Sequence, residues 1–127
     1  MIKLLKIEKL KAHEKTNKQN LLRVKKKILA AAYFSRPIVV DKKTLVILDG
    51  HHRTKILKQI GCGKIPAYLV NYQNPKIRLS SRRPNFKITK TAIIKNALAG
   101  KLFPYKTSKH LLPQRPKNLK IKLEKLI

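Results

Sequence analysis

Leu45-Val46-Ile47-Leu48-Asp49-Gly50-His51-His52-Arg53-Thr54-Lys55-Ile56-Leu57 carries an apolar, β-branched run into Asp-Gly and then into a helical pattern. The order reads as strand, tight turn and helix start. Gly50 permits a sharp turn and a close backbone approach to a ligand. The first turn of the following helix offers unpaired N–H groups and the positive end of the helix dipole. His51, His52 and Arg53 add side-chain donors, with Thr54 next in line. Together these predict a phosphate site. Asp49, the one negative charge at its edge, suits a metal ion or a hydroxyl.

Upstream of this stretch, Ile38-Val39-Val40 reads as a strand and Asp41-Lys42-Lys43 as a turn, so the two runs form a hairpin. Before it, Lys3–Ile7 reads as a first strand. Leu21, Leu22, Val24, Ile28, Leu29 and Ala32 then recur at helical spacing, which predicts a helix over Asn17–Ala32. Downstream, the helix from His51 runs to Ile60 and stops at Gly61 and Gly63. Lys64–Asn71 reads as a strand and Ile77–Leu79 as a short one. Ser80–Pro84 reads as a basic loop, and Thr89–Ala99 as a helix ending at Gly100. Leu102–His110 reads as a polar loop. From Pro116, Leu119, Leu123 and Leu126 predict a last short helix. The fold class is therefore α/β, with one domain over residues 1–110 and a basic extension over 111–127.

Composition narrows the chemistry. The chain has 127 residues, 43% of them hydrophobic, which is enough for one compact core. Cys62 is the single cysteine, so no internal disulfide forms, and a reducing, cytoplasmic setting is expected. No stretch reaches the roughly 20 apolar residues of a membrane span. Lys and Arg number 32 against 5 acids, a formal charge of +27. Such a field favours anions, from nucleotides to RNA or DNA, although lysines spread over a solvated surface give the same count. The acids are the sharper clue: any carboxylate chemistry must draw on Glu8, Glu14, Asp41, Asp49 and Glu124.

Of these, Glu14 lies in a loop outside the periodic segments, after His13. A carboxylate facing a phosphate site serves as a general base for a hydroxyl nucleophile. Phosphoryl transfer needs a base, cationic donors and Mg²⁺, and Asp49 is the candidate for holding that ion. Lys106-Thr107-Ser108 with His110 forms a third cluster able to donate to phosphate oxygens. A zinc site from His51, His52 and Cys62 is disfavoured, because adjacent histidines diverge and no fourth ligand is evident.

Leu48-Asp49-Gly50-His51-His52-Arg53, with two short strands before it and Ile56–Gly61 after it, resembles the ParB/sulfiredoxin superfamily. Within that superfamily it looks most like the archaeal free-serine kinases and their ParB-like relatives. Lys11-Ala12-His13-Glu14 resembles their Lys-x-His-Glu segment, and Pro104–His110 resembles a segment common in ParB-like members. The resemblance implies a small mixed sheet flanked by helices and transfer of phosphate from ADP or ATP, with Mg²⁺, to free L-serine. It casts Glu14 as base, with Asp49 and His52 beside it. It gives Gly50, His51, His52, Arg53, Lys106, Thr107, Ser108 and His110 to the nucleotide. Sulfiredoxins carry a reactive cysteine at the position of His51, so sulfinic acid reduction is not expected. The partition proteins have a Gly-Glu-Arg-Arg-like motif at Gly50–Arg53 and bind nucleic acid, which is the alternative the charge favours.

Overall fold

The computed structural model describes residues 2–83, 87–113, 115–116 and 119–127. Its centre is a four-stranded mixed sheet in the order β1-β5-β3-β4, made of β1 (Ile2–Lys6), β3 (Ile38–Asp41), β4 (Ile47–Asp49) and β5 (Lys64–Val70). β3 pairs antiparallel with β4, completing the predicted hairpin, and parallel with β5. A parallel pair needs a crossover. Here β4 and the helix α2 (His51–Gln59) supply it, so the motif sits at the carboxyl end of a strand. The other helices are α1 (Lys18–Ala31) and α3 (Lys90–Leu98).

β3 is buried on both faces, which explains its unbroken apolar sequence. Ile38 and Val40 face one cluster with Ile28, Phe34, Ile56 and Leu57. Val39 faces the other, with Leu48, Tyr72, Ile93 and Ala97. Both outer helices begin on a side-chain cap: the Asn17 side chain accepts from the Asn20 N–H, and that of Thr89 from the Ala92 N–H. Asp41 is buried at the hairpin turn. Its carboxylate accepts from the Thr44 N–H and hydroxyl and from the Tyr72 N–H, which removes it from the list of chemical candidates.

Three expectations change, and one strand pairing is unanticipated. Ser80 and Ser81 are not loop: β6 (Arg78–Ser81) takes them in. The second half of the polar 102–110 segment is strand β7 (Ser108–Leu111), antiparallel to β6. Neither strand has an apolar run, so pairing between them decides the conformation. Tyr33–Phe34 forms β2, which pairs with β8 (Ile121–Lys122). In place of an α-helix after Pro116, Leu123–Leu126 makes a 3-10 turn that buries Leu126 completely in the core beside Gly63, whose N–H donates to the Leu126 carbonyl. Residues 84, 117 and 118, which fall in the expected basic loop and last helix, lie outside the described residues. Among the described residues no helix is long and apolar enough to cross a membrane.

Candidate active site

Gly50 opens α2 with a φ of 111°, a left-handed conformation open to glycine. It is also a packing requirement: a methyl group at Gly50 would lie 2.3 Å from Ile38 Cγ2. Unlike α1 and α3, α2 has no side-chain cap. Its first-turn N–H groups are left for a cavity of about 370 Å³ lined by Gly50, His52, Arg53, Arg36, Arg82 and Lys106, among others. Cations and helix-start donors thus converge on one polar hollow.

Arg53 is braced rather than loose. Its Nη1 donates to the carbonyls of Arg36 (2.7 Å) and Pro37 (3.2 Å), and its Nη2 stands 3.5 Å from Asp49 Oδ2. Burial lowers the Arg53 pKa to about 10, with Asp49 pulling the other way. Arg115 pairs with the same Asp49 oxygen. Burial pushes the Asp49 carboxyl up, but Arg53 and Arg115 outweigh it and hold the group below the usual range. Asp49 is therefore an ionised anchor between two guanidinium groups.

The two histidines part company and neither acts as a cation. His51 is buried, and its Nε2 accepts the His13 N–H at 3.2 Å. His52 Nε2 accepts the Asn17 N–H at 3.0 Å. A ring nitrogen that accepts a backbone N–H carries no proton. Burial lowers the pKa of both, that of His51 well below its ordinary value. The expectation that they neutralise phosphate charge gives way to a positional role, with Arg53, Arg36, Arg82 and Lys106 as the cations. His52 still lines the cavity, edge-on to Tyr105.

Glu14 is brought to this hollow by residues more than ninety positions away. Its Oε1 accepts from the Thr107 N–H (3.1 Å), the Ser108 N–H (3.0 Å) and the Ser108 hydroxyl (3.0 Å). Lys106, with φ 55°, makes the left-handed turn that aims the two successive N–H groups at it. Glu14 and His51 also line a second cavity of about 670 Å³, whose walls include Ile7, Leu10, Ala12, Ile47 and Leu102. Glu14 therefore stands where a cationic hollow and a larger, more apolar one meet.

The remaining expected residues divide. Lys106 and Ser108 reach the polar hollow. Thr54 donates to the Gly50 carbonyl and faces the apolar cavity instead. Thr107 is fully buried, and its hydroxyl donates to the Pro104 carbonyl. His110 sits behind the site, its Nε2 2.7 Å from the Tyr72 hydroxyl. Sequence reasoning missed Asn20, which donates to the Tyr105 hydroxyl at 2.8 Å on the wall of the hollow, and Arg115. It also missed the buried cluster of His13, His51 and His110, whose ring centroids lie 4.5 and 6.0 Å from that of His13.

No protein-family model matches the chain. A ParB-like protein of Sulfolobus acidocaldarius is 44% identical over 43 residues, covering 34% of this chain and 22% of that protein. An ATP-dependent L-serine kinase of Staphylothermus marinus is 30% identical over 87 residues, covering 64% of this chain and 34% of the kinase. The chain thus spans about a third or less of the length of these curated relatives. A free serine kinase in complex with AMP shares the fold with a TM-score of 0.90 at 15% identity, over 99% of this chain and 93% of the other. The chain is thus similar in sequence to a ParB-like protein and to L-serine kinases, and its fold is that of the free serine kinase.

Proposed function

We propose that the chain transfers a phosphoryl group from ATP or ADP to a hydroxyl, with free L-serine as the acceptor. One observation carries the proposal. Glu14, which forms no ion pair among the described residues, is fixed by three donors at the rim of a cationic hollow built on an uncapped helix start. Phosphoryl transfer asks mainly for positioning and charge stabilisation. The α2 start, Arg53, Arg36, Arg82 and Lys106 suit the phosphates of the donor. With Oε1 committed to three donors, Glu14 Oε2 is the oxygen that takes the hydroxyl proton as the oxygen attacks phosphorus. The relatives named L-serine kinases supply the acceptor and the choice of donor.

Mg²⁺ fits this site only as an ion carried by the phosphates. Among the described residues no three His, Cys, Asp or Glu side chains come together to hold a metal, and Asp49 Oδ2 is taken by two arginines. Among the described residues Asp49 is the other carboxylate lining the polar hollow beside Glu14. When bound, the ion supplies charge neutralisation on the transferring group.

The test is phosphoryl transfer with Mg²⁺, offering ADP and ATP separately with L-serine. O-phosphoserine formed from one donor supports the reading. Nucleotide binding without transfer to serine removes the acceptor from it.

A second reading rests on charge. Among the described residues both ion pairs fall on Asp49 and both use arginine, so no described lysine is paired with a carboxylate. A nucleic-acid partner, or an acceptor hydroxyl carried on RNA, would take up that charge. Its binding should weaken steeply with salt as counterions are released.

A further inference from the structure

Ser108 stands between two acceptors and has one proton to give. Its Oγ lies 3.0 Å from Glu14 Oε1 and 3.0 Å from His13 Nε2. His13 Nδ1 lies 2.7 Å from the Ile47 carbonyl oxygen. A carbonyl only accepts, so Nδ1 carries the imidazole proton and donates it there. His13 is completely buried, which lowers its pKa to about 4 against the carbonyl's opposing pull. Its Nε2 is then a bare lone pair at neutral pH. The groups facing the ring are His51 of α2, His110 of β7, and Phe103, besides Ser108 itself. None of the three rings carries a negative charge; the Glu14 carboxylate lies one hydroxyl away across Ser108, and burial still holds His13 neutral.

Resting on the proposal that Glu14 is the base, we propose that Ser108 is a positioning residue whose hydroxyl turns from Glu14 to His13 when Glu14 takes up the substrate proton. While Glu14 is ionised, a carboxylate oxygen is the stronger acceptor and the Ser108 O–H points to Oε1. Together with the two backbone N–H groups it holds the carboxylate with Oε2 outward. In the transfer step the acceptor O–H bond breaks and its proton bonds to Oε2, while the acceptor oxygen bonds to phosphorus and the bridging P–O bond to the nucleotide breaks, its electron pair leaving on the ADP or AMP released. Glu14 is now neutral and Oε1 pulls less. The Ser108 O–H swings to His13 Nε2, so the hydroxyl keeps a partner in both charge states. Ser108 retains its own proton throughout, and His13 never ionises. Without His13, protonation of Glu14 would leave a half-buried hydroxyl under-satisfied, a penalty that falls on the post-transfer state.

The experiment is nitrogen NMR on the full chain labelled at histidine, combined with turnover. In the wild type His13 should be the neutral Nδ1–H tautomer. Glu14→Gln, which removes the charge and keeps the shape, should move the His13 Nε2 resonance toward that of a hydrogen-bonded nitrogen. Ser108→Ala should abolish that response, and Ser108→Thr, which keeps the hydroxyl, should restore it. Ser108→Ala should also lower turnover roughly ten- to hundredfold with nucleotide KM little changed. A protonated His13, an Nε2–H tautomer or an Nε2 signal indifferent to Glu14→Gln would overturn the proposal. The tautomer and its response need no turnover. Absent transfer in the wild type would thus sink the kinase reading, and the spectrum alone would then decide whether the hydroxyl turns.

Discussion

The two halves of the site are made in different ways. The strand–turn–helix from Ile47 to Gln59 is local: Gly50, the helix start and Arg53 lie within a few residues, and Arg53 is braced by the Arg36 and Pro37 carbonyls just before the adjoining strand. The segment from Phe103 to Leu111 acquires its form from afar. Its strand exists because β6 pairs with it, and its paired N–H groups exist to meet Glu14, ninety-three and ninety-four positions upstream. On the proposed reading the local half offers donors to a phosphate in advance. The distant half sets the orientation of the acid, Glu14. A site of this kind can keep its anion affinity while losing its chemistry, and the reverse is not available to it.

Damage to the local half should be the most severe. Gly50→Ala places a methyl 2.3 Å from Ile38 Cγ2 at a φ of 111°. Overpacking plus backbone strain should destabilise the fold by about 3 kcal/mol or more. Thermal unfolding would read this as a large fall in Tm, and an unchanged Tm would deny that the turn depends on glycine.

Next in size comes acid, which acts where the halves meet. His13 and His110 both have pKa values lowered to about 4, chiefly by burial. Above pH 6.5 they are neutral in the folded and the unfolded chain, and stability is intact. Below it the unfolded chain takes up protons that the folded chain refuses until about pH 4. Stability should therefore be lost as pH falls from about 6.5 to about 4, by at most about 3 kcal/mol for each histidine. Denaturant midpoints that stay level across this window would contradict neutral burial of the cluster.

The smallest effect belongs to the wall contributed by the distant half. Tyr105→Phe removes the acceptor of the Asn20 amide, which lies within the polar hollow. A loss of about 1 kcal/mol or less in nucleotide affinity is expected, read by calorimetric titration. A larger loss would mean that the Asn20–Tyr105 pair holds the donor directly.

The same division explains how much could be read in advance. The hairpin, all three helices and the phosphate-binding turn follow from periodicity, caps and glycine, because each is decided by residues close in sequence. Asn17 and Thr89, the first residues of two expected helices, are the residues that cap them. Glu14 stood out because acids are so scarce. Ser108 looked like a loop hydroxyl because nothing local makes it a strand. Arg115 reads in sequence only as part of a basic C-terminal segment, since one arginine among 32 cations is not tied to a partner until Asp49 is placed beside it. His51 and His52 look alike in sequence, and tertiary hydrogen bonds from His13 and Asn17 turn them from expected cations into neutral acceptors.

The most direct test of the account is Glu14→Ala, followed by separate measurement of nucleotide affinity and turnover with Mg²⁺ and L-serine. Glu14 is held by the donors of the distant half, whereas the helix start and Arg53 belong to the local half. Affinity should therefore stay near that of the wild type while turnover falls about a hundred- to ten-thousandfold. Turnover near the wild-type rate would show that Glu14 is not the base.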